Sequence, residues 1–200
     1  MTAATPTGRS KAYSLPNLLT YGRVAAVPVV VALLFWPEDR WSRWIALAIF
    51  IAAGVTDYFD GYFARLYSQY SALGRMLDPI ADKLLVSACL LMLVADETIK
   101  DVHLLAAIVI LSREILVSGL REFLAGLKVS IPVSRIAKWK TGVQLVAVGF
   151  LVAGPAGDEV LPGTTAIGLV LLWIAATLTI YTGWDYLRAG IRYVVDNDTE

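Results

Sequence analysis

Four aspartates at short, regular spacing lie in a chain that is otherwise strongly apolar. They are Asp57, Asp60, Asp78 and Asp82, and apolar segments flank them on both sides. In a membrane, an ionised Asp costs about 2.5 to 3.5 kcal/mol at a helix centre on insertion scales. We therefore expect the four carboxylates to serve a function, and the rest of the chain to hold them in place.

The composition predicts an integral membrane protein. Hydrophobic residues make up 58 % of the 200 residues, and charged residues only 17 %. The mean hydropathy is +0.65, which is too apolar for a soluble domain of this length. Because 17 basic residues balance 17 acidic ones, nothing indicates a nucleic-acid partner. The single cysteine, Cys89, excludes an intramolecular disulfide framework.

Six apolar segments predict an all-α, polytopic fold with six transmembrane helices. Each has about the 20 residues that a helix needs to cross the hydrocarbon core. The predicted spans are residues 17–36, a second beginning at 41 or 44 and continuing to 60, 79–95, 102–124, 136–154 and 164–187. The domain organisation is then an N-terminal tail of residues 1–16, a membrane domain of residues 17–190 and a C-terminal tail of residues 191–200.

The distribution of charge predicts that both termini are cytoplasmic. With that orientation, the outer loops contain only Arg40, Arg43 and Lys100 among the basic residues. Lysine and arginine are concentrated in cytoplasmic loops of membrane proteins. The same outer loops carry most of the acidic residues that lie outside the spans: Glu38, Asp39, Asp96, Glu97, Asp101, Asp158 and Glu159.

Helical spacing predicts that the four carboxylates face one cleft. Asp57 and Asp60 are three residues apart and Asp78 and Asp82 are four apart, so each pair shares one face of its helix. At 1.5 Å per residue, Asp57 lies about 18 Å beyond Ile45, near which the second span enters the membrane, and so past the midplane. The third span enters from the cytoplasm, so both pairs are expected in the inner half of the membrane.

Several carboxylates in one cleft require cations between them, because like charges raise one another's pKa. Oxygen ligands without His or Cys select Mg²⁺, Mn²⁺ or Ca²⁺ rather than zinc. Two such ions could clamp a phosphoryl group during displacement. Gly61 and Gly74 would let a ligand approach the helices closely. Since Pro79 follows Asp78, whether Asp78 is a helix N-cap or a helical ligand stays open.

The aspartates belong to a longer motif. The sequence reads D-x-x-D-G-x-x-A-R from position 57, then eight residues, then G-x-x-x-D-x-x-x-D from position 74. This resembles the full signature of the CDP-alcohol phosphatidyltransferase family. The segments P-N-L-L-T-x-x-R from 16, S-R-E-I from 112, L-R-E from 120 and K-W-K-T-x-x-Q from 138 resemble the branch of that family that makes phosphatidylglycerophosphate.

The resemblance implies a membrane-embedded enzyme of six helices in the bacterial inner membrane, commonly a homodimer surrounded by lipid, with its active site open to the cytoplasm. It would use two divalent ions, Mg²⁺ or Mn²⁺, to transfer a phosphatidyl group from CDP-diacylglycerol to sn-glycerol 3-phosphate. Asp57, Asp60 and Asp78 would bind the metals, with Asp82 beside the metals and acting as the base. The residues expected to bind the donor are Asn17, Thr20, Arg23, Gly61, Ala64, Arg65 and Gly74.

The acceptor phosphate requires positive charge, and four basic residues are predicted to supply it: Arg113, Arg121, Lys138 and Lys140. Arg113 is predicted about 16 Å deep in the fourth span, where an unpaired guanidinium would be costly. The alternatives are helix-packing ion pairs, with Glu114 as counter-ion, for the arginines and anionic lipid headgroups for the lysines. Arg23 could instead lie at the membrane interface.

Two other functions stay open at this stage. A phosphatidyltransferase of the same fold could use serine, inositol, inositol phosphate or phosphatidylglycerol as acceptor. A small transporter could use the aspartates to relay ions, but the outer halves of the predicted spans lack the polar path that transport requires.

Overall fold

A computed structural model describes residues 15–36, 39–67, 72–127 and 135–197, and regular structure within these ranges is helical, without strands. This confirms the all-α prediction. The six helices of the described residues are α1 Leu15–Leu34, α2 Arg40–Tyr67, α3 Ala72–Ala95, α4 His103–Gly126, α5 Arg135–Asp158 and α6 Thr164–Asn197.

Three helix boundaries differ clearly from the predicted spans. Helix α2 continues to Tyr67, seven residues beyond the predicted end at 60. Helix α3 begins at Ala72 instead of Pro79, so Asp78 lies inside the helix and is not its N-cap. Proline is favoured in the first turn of a helix, which is why Pro79 marked the predicted start. Helix α6 continues to Asn197, so the predicted tail of residues 191–200 begins within a helix.

Within the described part of the chain, four helices are long and apolar enough to cross a membrane, as expected of a multi-pass membrane protein. The candidate spans are Asn17–Leu34, His103–Gly126, Trp139–Asp158 and Thr164–Arg188. Large apolar side chains stay exposed on them, including Ile115 at 73 % and Val170 at 61 %, as lipid contact allows. The predicted second and third spans lie on α2 and α3, whose side chains are described only in part, so the six-span arrangement stays a prediction.

The chain forms two compact units, Met1–Met92 and Leu93–Glu200. In the first unit, α1 packs against α2. Asp39 caps the start of α2: its carboxylate accepts hydrogen bonds from the Trp41 amide at 3.1 Å and from the Ser42 hydroxyl at 2.6 Å. A side chain in this position satisfies amides that have no partner in the first turn.

In the second unit, α4 and α5 each pack against α6. Helices α4 and α6 run parallel. Three contacts along their length each join residues that are 70 positions apart in the sequence, so the two helices keep the same register. The Trp173 indole donates a hydrogen bond to Nδ1 of His103 at 3.0 Å. Further along, Arg113 lies against Gly183 and Leu120 against Gly190. Because α5 connects the end of α4 to the start of α6, and these two helices are parallel, α5 runs in the opposite direction.

Helix α5 is kinked near its end. Gly154 has φ 45° and ψ −130°, which is not helical, and Pro155 follows it. A residue with a side chain rarely adopts this backbone conformation, so glycine is needed there. After the kink, Asp158 accepts hydrogen bonds from the amide and the hydroxyl of Thr165, which ties the end of α5 to the start of α6.

Candidate active site

The signature aspartates lie on two helices. Asp57 and Asp60 are on α2, Asp78 and Asp82 are on α3, and the helical backbone continues through all four positions. Each pair therefore shares one face of its own helix, as predicted. The Asp82 side chain is partly buried. The side chains of Asp57, Asp60 and Asp78 lie outside the part of the structure that is described.

The predicted donor residues fall into two groups. Asn17, Thr20 and Arg23 occupy one face of α1 and are 1 %, 1 % and 2 % exposed. Three buried polar side chains in an apolar helix need polar partners. Both alternatives for Arg23, donor binding and a place at the membrane interface, stay predictions. The second group lies on the helical backbone of α2 and α3, with side-chain surroundings outside the described residues: Gly61, Ala64, Arg65 and Gly74.

The donor set fits a hard divalent cation. The four signature carboxylates supply only oxygen ligands, and their spacing on helical backbone presents two ligands from each helix. Among the side chains that the structure describes, no group of three His, Cys, Asp or Glu residues could hold a metal ion. Three of the four signature carboxylates are outside that set, so their arrangement around a metal stays a prediction.

Two of the predicted basic residues share one carboxylate. Glu114 Oε1 on α4 accepts from Nη1 of Arg113 at 3.2 Å and from the ammonium of Lys140 on α5. The side chains are largely buried, with Lys140 at 5 %, Arg113 at 12 % and Glu114 at 18 % exposure. One carboxylate thus brings two cationic side chains from two helices close together, and clustered cationic donors are the groups that bind a phosphate.

Helix α6 supplies neutral partners to both predicted arginines of α4. Nη2 of Arg113 donates to the Thr182 hydroxyl at 3.0 Å, and Nη2 of Arg121 donates to the Tyr186 hydroxyl at 3.0 Å. The Arg121 guanidinium also lies 5.3 Å from the centre of the Tyr186 ring, within cation–π range. Nε of Arg113 is buried and has no hydrogen-bond partner.

The structure thus joins Arg113 and Lys140 through Glu114 and places Arg121 two turns further along α4. The Lys138 side chain lies outside the described residues. The contact with Glu114 shows the counter-ion that the packing alternative requires, and it also brings two cationic side chains together. Both roles are compatible with the geometry, so acceptor-phosphate binding stays a prediction for these residues.

Sequence reasoning missed the residues of α6 that contact the arginines. Thr182 and Tyr186 are 1 % and 5 % exposed and share a face with Thr179, which is fully buried. Their spacing of three, then four residues forms a polar stripe on an otherwise apolar helix. That stripe was the available signal, because a buried polar group needs a partner on a neighbouring helix.

Known proteins with similar sequences belong to one family of enzymes. The family described as CDP-alcohol phosphatidyltransferase matches residues 13–181. A protein of Rickettsia bellii named CDP-diacylglycerol–glycerol-3-phosphate 3-phosphatidyltransferase is 47 % identical, over 90 % of this chain and 97 % of its own. A protein of the same name from Cereibacter sphaeroides is 39 % identical, over 92 % and 98 %. A cardiolipin synthase (CMP-forming) of Oryza sativa is 37 % identical, over 89 % of this chain and 57 % of its own.

Proposed function

Since the chain belongs to the CDP-alcohol phosphatidyltransferase family, we propose that it transfers the phosphatidyl group of CDP-diacylglycerol to sn-glycerol 3-phosphate, forming phosphatidylglycerophosphate and CMP. The main support is the relatives that bear this enzyme's name and align over nearly their whole length. The meeting of two basic side chains, Arg113 and Lys140, at Glu114 is the structural observation that favours a phosphorylated acceptor. Membership of a transferase family removes the support for the transporter alternative.

The signature carboxylates would hold the divalent cations. Asp57, Asp60 and Asp78 are the proposed ligands, with Asp82 beside them, and Mg²⁺ or Mn²⁺ fits the all-oxygen donor set. When bound, the ions neutralise the diphosphate and stabilise the charge that develops on departing CMP. The donor would also contact Asn17, Thr20 and Arg23 of α1 and the small or basic positions of the signature: Gly61, Ala64, Arg65 and Gly74.

The reaction itself is an in-line displacement at phosphorus. The free hydroxyl of the acceptor attacks the phosphorus that carries the diacylglycerol group, a new P–O bond forms, and the P–O bond to CMP breaks. Asp82 is the proposed base that receives the hydroxyl proton. Arg113, Arg121, Lys138 and Lys140 would bind the acceptor's own phosphate, which keeps the hydroxyl oriented towards the donor.

The membrane arrangement is part of the proposal. Six transmembrane helices with both termini in the cytoplasm would place the active site on the side where CDP-diacylglycerol and glycerol 3-phosphate are both available. The balance of basic residues between predicted inner and outer loops supports this orientation. The bacterial inner membrane as the location and a homodimer as the assembly are proposed from the same resemblance.

A second acceptor is favoured by one specific observation. The Oryza sativa relative is named as a CMP-forming cardiolipin synthase, so a chain of this family could use phosphatidylglycerol instead. That acceptor is a phosphodiester that lies in the membrane, whereas glycerol 3-phosphate is a soluble phosphomonoester. Basic side chains that surround an acceptor phosphate suit the more highly charged monoester better.

The proposal is tested by release of CMP from CDP-diacylglycerol. The purified protein in detergent would be given Mg²⁺ and, separately, glycerol 3-phosphate, serine, inositol or phosphatidylglycerol. We expect CMP release with glycerol 3-phosphate, loss of activity with EDTA, and recovery with Mg²⁺ or Mn²⁺. Release only with phosphatidylglycerol would replace the proposed acceptor, and no release with any acceptor would reject the proposed reaction.

A further inference from the structure

One buried face of α6 lies against the two arginines of α4. It contains Thr182, Gly183 and Tyr186, within a helix that is otherwise largely apolar. None of these three residues belongs to the aspartate signature or to the predicted acceptor set. Because α4 and α6 keep one register along their length, these contacts are set by helix packing and not by a loop.

The Thr182 hydroxyl is oriented towards Arg113 by its own helix. Its oxygen lies 2.9 Å from the carbonyl of Leu178, to which it donates its single proton. A hydroxyl has one donor and two acceptor lone pairs, so a lone pair is left for Nη2 of Arg113 at 3.0 Å. The Arg113 guanidinium therefore donates to a hydroxyl oxygen whose position is fixed by α6.

Gly183 gives the Arg113 side chain the space it occupies. A Cβ atom at position 183 would lie 2.9 Å from Cγ of Arg113 and 3.4 Å from its Nε. The aliphatic stem of the arginine thus runs directly along the backbone of α6. Any side chain at position 183 would displace that stem near its base, where the arginine cannot simply rotate away.

Tyr186 holds Arg121 in two ways. Its hydroxyl accepts a hydrogen bond from Nη2, and its ring lies under the guanidinium. Both contacts involve a neutral partner, so they restrict the position of the guanidinium without neutralising its charge. Arg113 differs in this respect, because it also pairs with the carboxylate of Glu114.

We propose that Thr182, Gly183 and Tyr186 are positioning residues that hold Arg113 and Arg121 ready for the phosphate of the acceptor. Arginine is a long, flexible side chain, and fixing it before binding lowers the entropy lost when the phosphate arrives. The inference rests on the proposed function, in which the acceptor carries a phosphomonoester. It assigns α6 a role in acceptor recognition and leaves binding of the CDP-diacylglycerol donor to other residues.

The first test replaces Thr182 by Val, which keeps the shape and removes the hydroxyl. We expect the KM for glycerol 3-phosphate to rise about tenfold, the effect of losing one hydrogen bond to a charged group. The KM for CDP-diacylglycerol should stay unchanged, and Thr182→Ser should restore the wild-type value. The matched control is Thr177→Val, because the Thr177 hydroxyl also bonds the carbonyl four residues earlier but contacts no arginine.

The second test examines the hydroxyl and the ring of Tyr186 one at a time, and then the space at Gly183. Tyr186→Phe keeps the ring and removes the hydroxyl, so it should raise the same KM by less than Tyr186→Ala does. Gly183→Ala should raise it through the displaced Arg113 stem. Gly119→Ala is the control, because a Cβ atom at this helical glycine would meet nothing within 4 Å.

The outcomes distinguish this inference from the proposed function. Wild-type protein that releases no CMP with glycerol 3-phosphate would reject the function itself. Wild-type activity combined with an unchanged KM in Thr182→Val and Gly183→Ala would overturn the positioning role alone. Equal rises of the KM for both substrates, or a loss that follows only the fraction of folded protein, would also overturn it and make the α6 contacts purely structural.

Discussion

The ammonium of Lys140 on α5 contacts the carboxylate of Glu114 on α4, and the same oxygen of Glu114 accepts a hydrogen bond from Arg113. One carboxylate thus holds two cations that come from two helices. Its removal would leave both cations facing each other in a largely buried place. Glu114 is therefore expected to govern both the stability of this unit and the geometry of its basic group.

Glu114→Gln should lower the free energy of unfolding by about 1–3 kcal/mol, because a buried charged group loses part of its hydrogen bonding. The measurement is thermal unfolding in detergent at neutral pH. Glu122→Gln on the same helix is the matched control, because Glu122 is exposed. Equal unfolding temperatures for the two variants would contradict the role assigned to Glu114.

Arg113→Ala should raise the KM for glycerol 3-phosphate by about ten- to a hundredfold, the range for hydrogen bonds to a charged group, and affect CDP-diacylglycerol less. Steady-state CMP release with each substrate varied gives both constants. Arg113→Met keeps most of the side-chain stem without the charge. If Met restores wild-type constants where Ala does not, Arg113 acts by packing and not by binding phosphate.

Asp82→Asn should reduce turnover by about 100- to 10,000-fold, the usual contribution of a general base. The variant should still fold and bind CDP-diacylglycerol, which equilibrium binding of a labelled donor would measure. Asp101→Asn is a suitable control, because Asp101 is exposed and has φ 51°, a backbone conformation that Asn also tolerates. Near-normal turnover in Asp82→Asn would show that another group accepts the proton.

The N-cap of α2 should make stability depend on pH. Hydrogen bonds from the Ser42 hydroxyl and the Trp41 amide hold the pKa of Asp39 below its ordinary value. The stabilisation is therefore fully present above the unfolded pKa of about 3.9 and is lost as pH falls through the lower, folded pKa.

Asp39→Asn keeps a capping side chain but cannot ionise. Compared with wild type, it should show a smaller rise in unfolding temperature between pH 2.5 and pH 6, as followed by circular dichroism in detergent. A pH profile that runs parallel to that of wild type would mean that the carboxylate charge does not contribute through this cap.

Gly154→Ala should destabilise the protein by about 1–3 kcal/mol, because a side chain at φ 45° and ψ −130° is strained. Thermal unfolding tests this directly. Gly119→Ala should be neutral or stabilising, since this glycine is helical and has open space around its Cα. A Gly154→Ala variant as stable as wild type would indicate that α5 can straighten without cost.

The helices could be predicted from the sequence because an apolar run of about 20 residues has the length of a membrane-spanning helix, whose backbone hydrogen bonds are all satisfied within the segment. The residues at which the helices begin and end were harder to predict. Pro79 suggested a helix start, yet α3 begins at Ala72 and runs through the proline. The cost is one backbone hydrogen bond, because Pro79 has no amide proton to donate to the carbonyl of Arg75.

The site was predictable where chemistry depends on spacing along one helix. The pairs Asp57 with Asp60 and Asp78 with Asp82 could be assigned to helix faces from their spacing alone. The partners of Arg113 and Arg121 could not, because Thr182 and Tyr186 meet them only through the register between α4 and α6. That register depends on side-chain packing along two whole helices, which no short motif specifies.

The constant separation of 70 positions between partners on α4 and α6 has a consequence for how related chains can change in length. A single residue inserted within α4 after His103 would rotate everything beyond it by about 100° and turn Arg113 and Leu120 away from their glycines. An insertion in the connections that leave α4 and enter α6 would spare all three pairs. Relatives should therefore have no insertions or deletions between His103 and Leu120, or between the partner positions Trp173 and Gly190.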